Sequence, residues 1–334
     1  MIARSPPLAE PDAWVAALRE AYSSPGQLLE DLGLAPDAVG LAAEAARHFS
    51  FRVPRPFASR MVAGDPDDPL LRQVLPRGEE LVEAPDFVTD PVGDRSAQRS
   101  PALLHKYSGR GLLMLTGGCA INCRYCFRRE FPYADAVGSV RLEAAVEVLR
   151  EDTSLTEVIL SGGDPLLWED SRLASLIDGL EAIPHLSRLR IHTRLPVVLP
   201  QRVTPALCDR LAGSRLSCAV VLHANHPREL DGEVAAACAD LRRSGITLLN
   251  QAVLLRGVND DCAVLAMLSE RLFALGVLPY YLHLLDRVRG ASHFEVSEER
   301  ALELYRALHA RLPGYLLPRL AREEPGAPGK TLRI

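Results

Sequence analysis

Cys119, Cys123 and Cys126 lie in Gly118-Cys119-Ala120-Ile121-Asn122-Cys123-Arg124-Tyr125-Cys126, a C-x3-C-x2-C spacing. Three thiolates on one short loop can converge on one metal centre, and thiolates favour zinc, copper(I) or iron–sulfur clusters. A structural zinc site usually completes its tetrahedron with two paired ligand sets. No second pair follows here: Cys208, Cys218, Cys238 and Cys262 are scattered singly and are expected to be buried thiols. A four-iron cluster usually takes four cysteines. Three would leave one iron without a protein ligand and free to bind a small molecule.

A second group carries charge chemistry. Ser161-Gly162-Gly163-Asp164 offers glycines that let backbone approach a ligand, followed by a carboxylate able to bind an ammonium. Lys106 and Lys330 are the two lysines of the chain, whereas the other 36 basic residues are arginine. Arginine stays protonated and cannot act as an amine nucleophile; lysine can. Lys330, on a Gly/Pro-rich strap, could reach a barrel mouth and form an imine with an aldehyde cofactor. Arg128 follows the third cysteine by two residues, a position suited to clamping a carboxylate with its planar fork.

These groups need a scaffold that gathers them. Short apolar runs at Gly111–Thr116, Glu157–Leu160, Leu189–His192, Cys218–His223, Thr247–Gln251 and Pro279–Leu284 alternate with amphipathic stretches such as Leu142–Arg150, Arg172–Ala182 and Glu233–Arg243. Apolar strands joined by helices mean a parallel sheet buried on both faces. Six strands with five crossovers fit a partial (β/α)6 barrel, with a flat doubly wound α/β sheet as the other option. The strands run into Cys119, Ser161–Asp164, His192-Thr193-Arg194, His223, Asn250-Gln251 and His283 with Asp286. Carboxyl ends of parallel strands share one rim, where sites form. His223 and Gln251 are cofactor candidates on rim position. Residues 1–100 are expected to be a helical appendage and a meandering connection, 101–312 the barrel, and 313–334 a C-terminal segment carrying Lys330.

The composition sets outer bounds. A net charge of −5 gives no basic face for nucleic acid or an anionic membrane. No run of about 18 apolar residues exists to span a bilayer. The stretch MIARSPPLAEPDAW lacks a basic-then-apolar pattern, so a cytoplasmic protein without an export signal is expected.

With an aromatic residue before its last cysteine, the loop resembles that of the radical S-adenosylmethionine (radical SAM) enzymes. Across roughly the whole chain the resemblance is to the lysine 2,3-aminomutase family. The segment Pro325-Gly326-Ala327-Pro328-Gly329-Lys330 is similar to its lysine-bearing stretch, and the flanks resemble the shorter branch acting on elongation factor P. The resemblance implies a radical SAM partial barrel and an isomerase holding a 4Fe-4S cluster on Cys119, Cys123 and Cys126. It implies S-adenosyl-L-methionine against Ser161, Gly162, Gly163 and Asp164, and pyridoxal 5'-phosphate on Lys330 with Lys106 and Arg110 near the phosphate. Arg128 would hold the carboxylate of L-lysine, and Asp286 its distal ammonium. The family's second acid is here Glu323 rather than aspartate. Expected partners are lysine, elongation factor P and its lysyl ligase, and a homo-oligomer stays open, although contacts from a longer tail are not expected. Three alternatives remain: a catabolic lysine aminomutase on free lysine, a radical enzyme without pyridoxal phosphate, and a non-catalytic zinc-binding module.

Overall fold

The computed structural model describes residues 13–333; the stretch read for an export signal lies almost wholly outside them. Ten strands form one sheet in chain order: β1 (Gln98–Ser100), β2 (Leu103–Tyr107), β3 (Arg110–Thr116), β4 (Glu157–Gly162), β5 (Arg188–Thr193), β6 (Ser217–Leu222), β7 (Thr247–Val253), β8 (Leu278–His283), β9 (Arg319–Arg322) and β10 (Thr331–Leu332). Pairing from β3 to β9 is parallel throughout. Antiparallel partners extend the two edges, β2 and β1 on one side and β10 on the other. Alternate residues of successive strands (Ser161 of β4, His192 of β5, Gln251 of β7, His283 of β8) line one chamber. A flat sheet cannot bring four strands to one cavity, so the sheet is curled into a partial barrel.

All six expected strands are present, and β9 adds a seventh parallel one. Its sequence, Arg-Leu-Ala-Arg, has only two apolar residues between charges, too short a run to announce itself. The crossovers include Ser139–Glu151 (α1), Asp170–Glu181 (α2), Pro205–Ala212 (α3), Gly232–Arg243 (α4) and Cys262–Ala274 (α5). Side-chain caps start several of them: Thr204 accepts from Leu207 N, Asp231 from Val234 N, and Asp261 from Ala263 N and Val264 N. No described helix is long and apolar enough to cross a membrane.

The N-terminal residues are built into the same core. Leu28, Val53, Phe57, Leu70 and Val74 are buried in one apolar cluster with the barrel residues Leu113, Leu160 and Val220. Asp68, fully buried, accepts from Leu70 N and Leu71 N and so caps the turn Pro69–Arg72. That turn delivers the buried Gln73 amide to the barrel interior. Arg124, inside the cysteine loop, is 0% exposed. Its guanidinium donates to Glu80 Oε1 and Oε2 at 2.8 and 2.6 Å and to the carbonyls of Ala45 and Phe49 at 3.0 and 2.8 Å. The cysteine loop is therefore tied to the N-terminal region by a buried ion pair. Glu80 also accepts from Arg129 at 2.7 Å, so removing Arg124 breaks a buried three-membered charge network together with two carbonyl contacts. Arg124→Met should cost ~3–5 kcal/mol of stability, read by urea unfolding of the cluster-free protein.

Candidate active site

The chamber at the carboxyl rim is lined by all three motif cysteines, Ser161 to Asp164, Lys106, Arg110, Arg128, His223, Gln251, Asp286, Glu323 and Lys330. Every site residue singled out from the sequence thus reaches one cavity, from β2, β3, four strand ends and the tail.

The cysteine wall follows from backbone geometry. Gly163 N donates to Thr116 O at 2.6 Å and Asp164 N to Gly118 O at 2.8 Å, which lays the loop after β4 against the start of the cysteine loop. A Cβ on Gly163 would sit 2.0 Å from Gly118 O, and one on Gly162, whose φ is +116°, would sit 2.6 Å from Thr116 O. These glycines are required by chain-to-chain contact, not solely by approach to a ligand as the sequence suggested. All three cysteines are free thiols. Burial and then the neighbouring Cys126 push the Cys119 thiol well above its usual value. Burial and then Cys123 push Cys126 up to about 11. Three sulfurs on one loop, two of them resisting ionisation, suit a polycationic centre that compensates thiolate charge, as a 4Fe-4S cluster does. Among the described residues, no three His, Cys, Asp or Glu side chains converge as a single metal ion requires.

Asp164 sits differently from the sequence expectation. Both its oxygens are engaged within the chain: Oδ1 accepts from Leu166 N at 3.0 Å and Thr193 Oγ1 at 2.7 Å, Oδ2 from Arg194 N at 2.8 Å and Leu195 N at 3.1 Å. Its carboxylate joins the ends of β4 and β5, so an approaching ammonium would have to share it. His223 accepts or donates through Nε2 to the Tyr125 hydroxyl at 2.8 Å, and burial followed by Arg194 lowers its pKa to about 3. Gln251 lines the chamber with no side-chain hydrogen bond among the described residues.

The opposite wall is a line of alternating charge. Arg128 Nε donates to Asp94 Oδ2 at 2.6 Å and its Nη1 to Ser161 Oγ at 3.1 Å. Lys106 Nζ pairs with Asp94 at 2.5 Å and Glu323 Oε1 at 2.7 Å, and also donates to Val92 O at 2.8 Å. Lys330 Nζ donates to Glu323 Oε2 at 2.7 Å. Burial raises the Asp94 and Glu323 carboxyls, but their cationic neighbours outweigh it and hold both below the usual range. Asp286 lies apart, without a side-chain hydrogen bond among the described residues; burial and then the Glu323 charge push it up to about 7.

Lys106, which the resemblance sets near a phosphate, here donates to Val92 O and Glu323 Oε1 and forms an ion pair with Asp94. Arg110, its guanidinium 5.1 Å over the Tyr107 ring, keeps its donors. Asp94 was missed: it sits in a Pro/Gly/Asp-rich connection without periodicity, where Asp90 Oδ1 accepts from its N–H at 2.8 Å and shapes the turn. Glu323 and Lys330, seven residues apart, meet because the tail is a hairpin closed by Glu324, which accepts from Thr331 and Arg333 at 2.6 Å each. Gly163→Ala should displace the cysteine loop, with a packing cost of ~1–3 kcal/mol. Most of the iron and sulfide retained by the wild type after reconstitution should then be lost, as read by colorimetric assay.

The comparisons agree with this geometry. A family model described as the Radical SAM superfamily matches residues 113–268. L-lysine 2,3-aminomutase of Haemophilus influenzae is 48% identical over 333 residues, covering 99% of this chain and 98% of that protein. The protein of the same name from Escherichia coli K12 is 50% identical over 320 residues, covering 95% and 93%. That from Clostridium subterminale is 37% identical over 277 residues, covering 82% and 66%. Radical SAM membership brings a 4Fe-4S cluster and S-adenosylmethionine, and sets aside a non-catalytic zinc module. The chain belongs to the radical SAM lysine 2,3-aminomutase family of isomerases.

Proposed function

We propose that the chain converts L-α-lysine to (R)-β-lysine for the modification of elongation factor P in the cytoplasm, with pyridoxal phosphate as its third cofactor. One observation carries the lysine reading: an amine (Lys330), an arginine fork (Arg128) and two carboxylates (Asp286, Glu323) share a chamber with the three thiols. Those groups match the amino group, carboxylate and distal ammonium of lysine. The elongation factor P branch is supported by length, since the chain spans 98% of the Haemophilus protein and 66% of the Clostridium one.

When bound, the cluster and S-adenosylmethionine supply a carbon radical, and pyridoxal phosphate supplies an aldehyde for the migrating nitrogen. Cys119, Cys123 and Cys126 hold the cluster. Ser161, Gly162, Gly163 and Asp164, with His223 and Gln251, border the S-adenosylmethionine. Arg128, oriented by Asp94 and Ser161, offers its remaining Nη2 edge to the substrate carboxylate. Arg110 faces the phosphate, and Lys106 balances Asp94 and Glu323. Lys330, beside Glu323 Oε2, would hold the pyridoxal phosphate aldehyde through its amine. Asp286 and Glu323 would accept the distal ammonium, two carboxylates compensating the desolvation of one cation. The apolar walls, Ile121 and Leu285 among them, keep water away from a reactive radical.

Lys330→Ala should abolish β-lysine formation and leave no pyridoxal phosphate fixed to the chain by borohydride. Product identity is read by chiral chromatography after an anaerobic assay, and delivery by the mass gain of elongation factor P with its ligase. Loss of the fixed label with undiminished turnover would refute pyridoxal phosphate dependence.

Asp286 gives a pH signature. Its carboxyl, raised to about 7, is protonated in acid and must ionise to hold an ammonium. The KM for lysine should therefore fall about tenfold per pH unit up to pH ~7 and level off above it. Asp286→Asn should flatten that profile and raise KM about 10- to 100-fold at neutral pH.

A further inference from the structure

Arg194, one residue beyond β5, has no part in the scheme above, yet its side chain ends at a cluster cysteine. It is 6% exposed. Its Nη1 donates to Cys123 Sγ at 2.7 Å, and its Nη2 donates to Gln73 Oε1 at 2.7 Å and Glu229 Oε2 at 2.9 Å. Its Nε is fully buried without a protein partner. The guanidinium carbon lies 5.2 Å from the Phe57 ring centre and 5.8 Å from that of Tyr125, so aromatic faces close it off from water.

The support behind it is rigid. Glu229 Oε1 accepts from Asn225 N at 2.9 Å, His226 N at 3.0 Å and Gln73 Nε2 at 3.1 Å. Glu229 is thereby kept as a buried anion, and it anchors one edge of the arginine while the other edge faces sulfur. Among the described residues no arginine donates to the sulfur of Cys119 or Cys126, so this charge marks one corner of the cluster.

We propose that Arg194 sets the reduction potential of the cluster, by a charged hydrogen bond to the Cys123 ligand sulfur. Reduction adds one electron, from an external one-electron donor, to a cluster already rich in negative charge. A cation held against one ligand sulfur in a dry site stabilises the reduced state more than the oxidised one. No proton moves, because a guanidinium stays charged. The inference rests on the cluster alone and stands apart from the identity of the substrate.

The test is an EPR-monitored redox titration of reconstituted protein without S-adenosylmethionine or lysine. Arg194→Gln alone would strand Glu229, so the informative variant is Arg194→Gln with Glu229→Gln, which removes both charges. Its reduced-to-oxidised ratio at a fixed potential should fall at least tenfold, ~59 mV for a one-electron couple. Arg194→Lys keeps a charge for Glu229 but cannot span to the sulfur, and should shift in the same direction by less. A merely structural arginine would lower iron content or melting temperature while the loaded fraction keeps the wild-type midpoint. That result in the double variant overturns the proposal. If the double variant takes up no cluster, Arg194→Lys decides: a wild-type midpoint, or failure to hold a cluster at all, overturns it.

Discussion

A row of alternating charges running from Arg128 through Asp94, Lys106 and Glu323 to Lys330 holds the chamber together. Each junction is a contact of 2.5 to 2.7 Å within a largely buried wall. An unpaired ion in such a place costs several kcal/mol, so each member fixes the next. The row joins four pieces of chain: the cysteine loop, the connection before β1, strand β2 and the tail hairpin. It also holds the Lys330 side chain and the Arg128 guanidinium in fixed places on one wall. Preorganisation of that kind lowers the cost of binding a zwitterion.

The backbone supplies a second constraint on the opposite wall. Close apposition of Gly163 and Gly118, and the hydrogen bonds to the Asp164 carboxylate, lock the ends of β3, β4 and β5 into one rim. Gln73 and Arg124 extend the lock to the N-terminal region, one by a neutral amide and one by a buried ion pair. The thiols are therefore presented by a loop with support on both sides, which suits a centre whose sulfurs must stay in register through a change of charge.

Much of this was legible in the sequence where a physical rule links residue to place. Short, near-continuous apolar runs located six strands, and the rule that parallel strands share a carboxyl rim gathered their end residues into a single site. The cysteine spacing and the scarcity of lysine singled out Cys119 to Cys126 and Lys330 without any geometry. What the sequence does not announce is the charge pairing: Lys106 and Asp164 also hydrogen-bond partners far away in sequence. Asp94 left no pattern to read, since a turn residue carries no periodicity. Strand β9, with two apolar residues between arginines, becomes a strand only because β8 offers it an edge.

Both lysines of the chain stand within this single wall, and the rest of the surface displays guanidinium groups instead. Reagents that seek primary amines therefore meet no decoy ε-nitrogen on the exterior. An amine-directed acylating probe would report on the interior cavity and the chain's α-amine, with no other ε-nitrogen to compete.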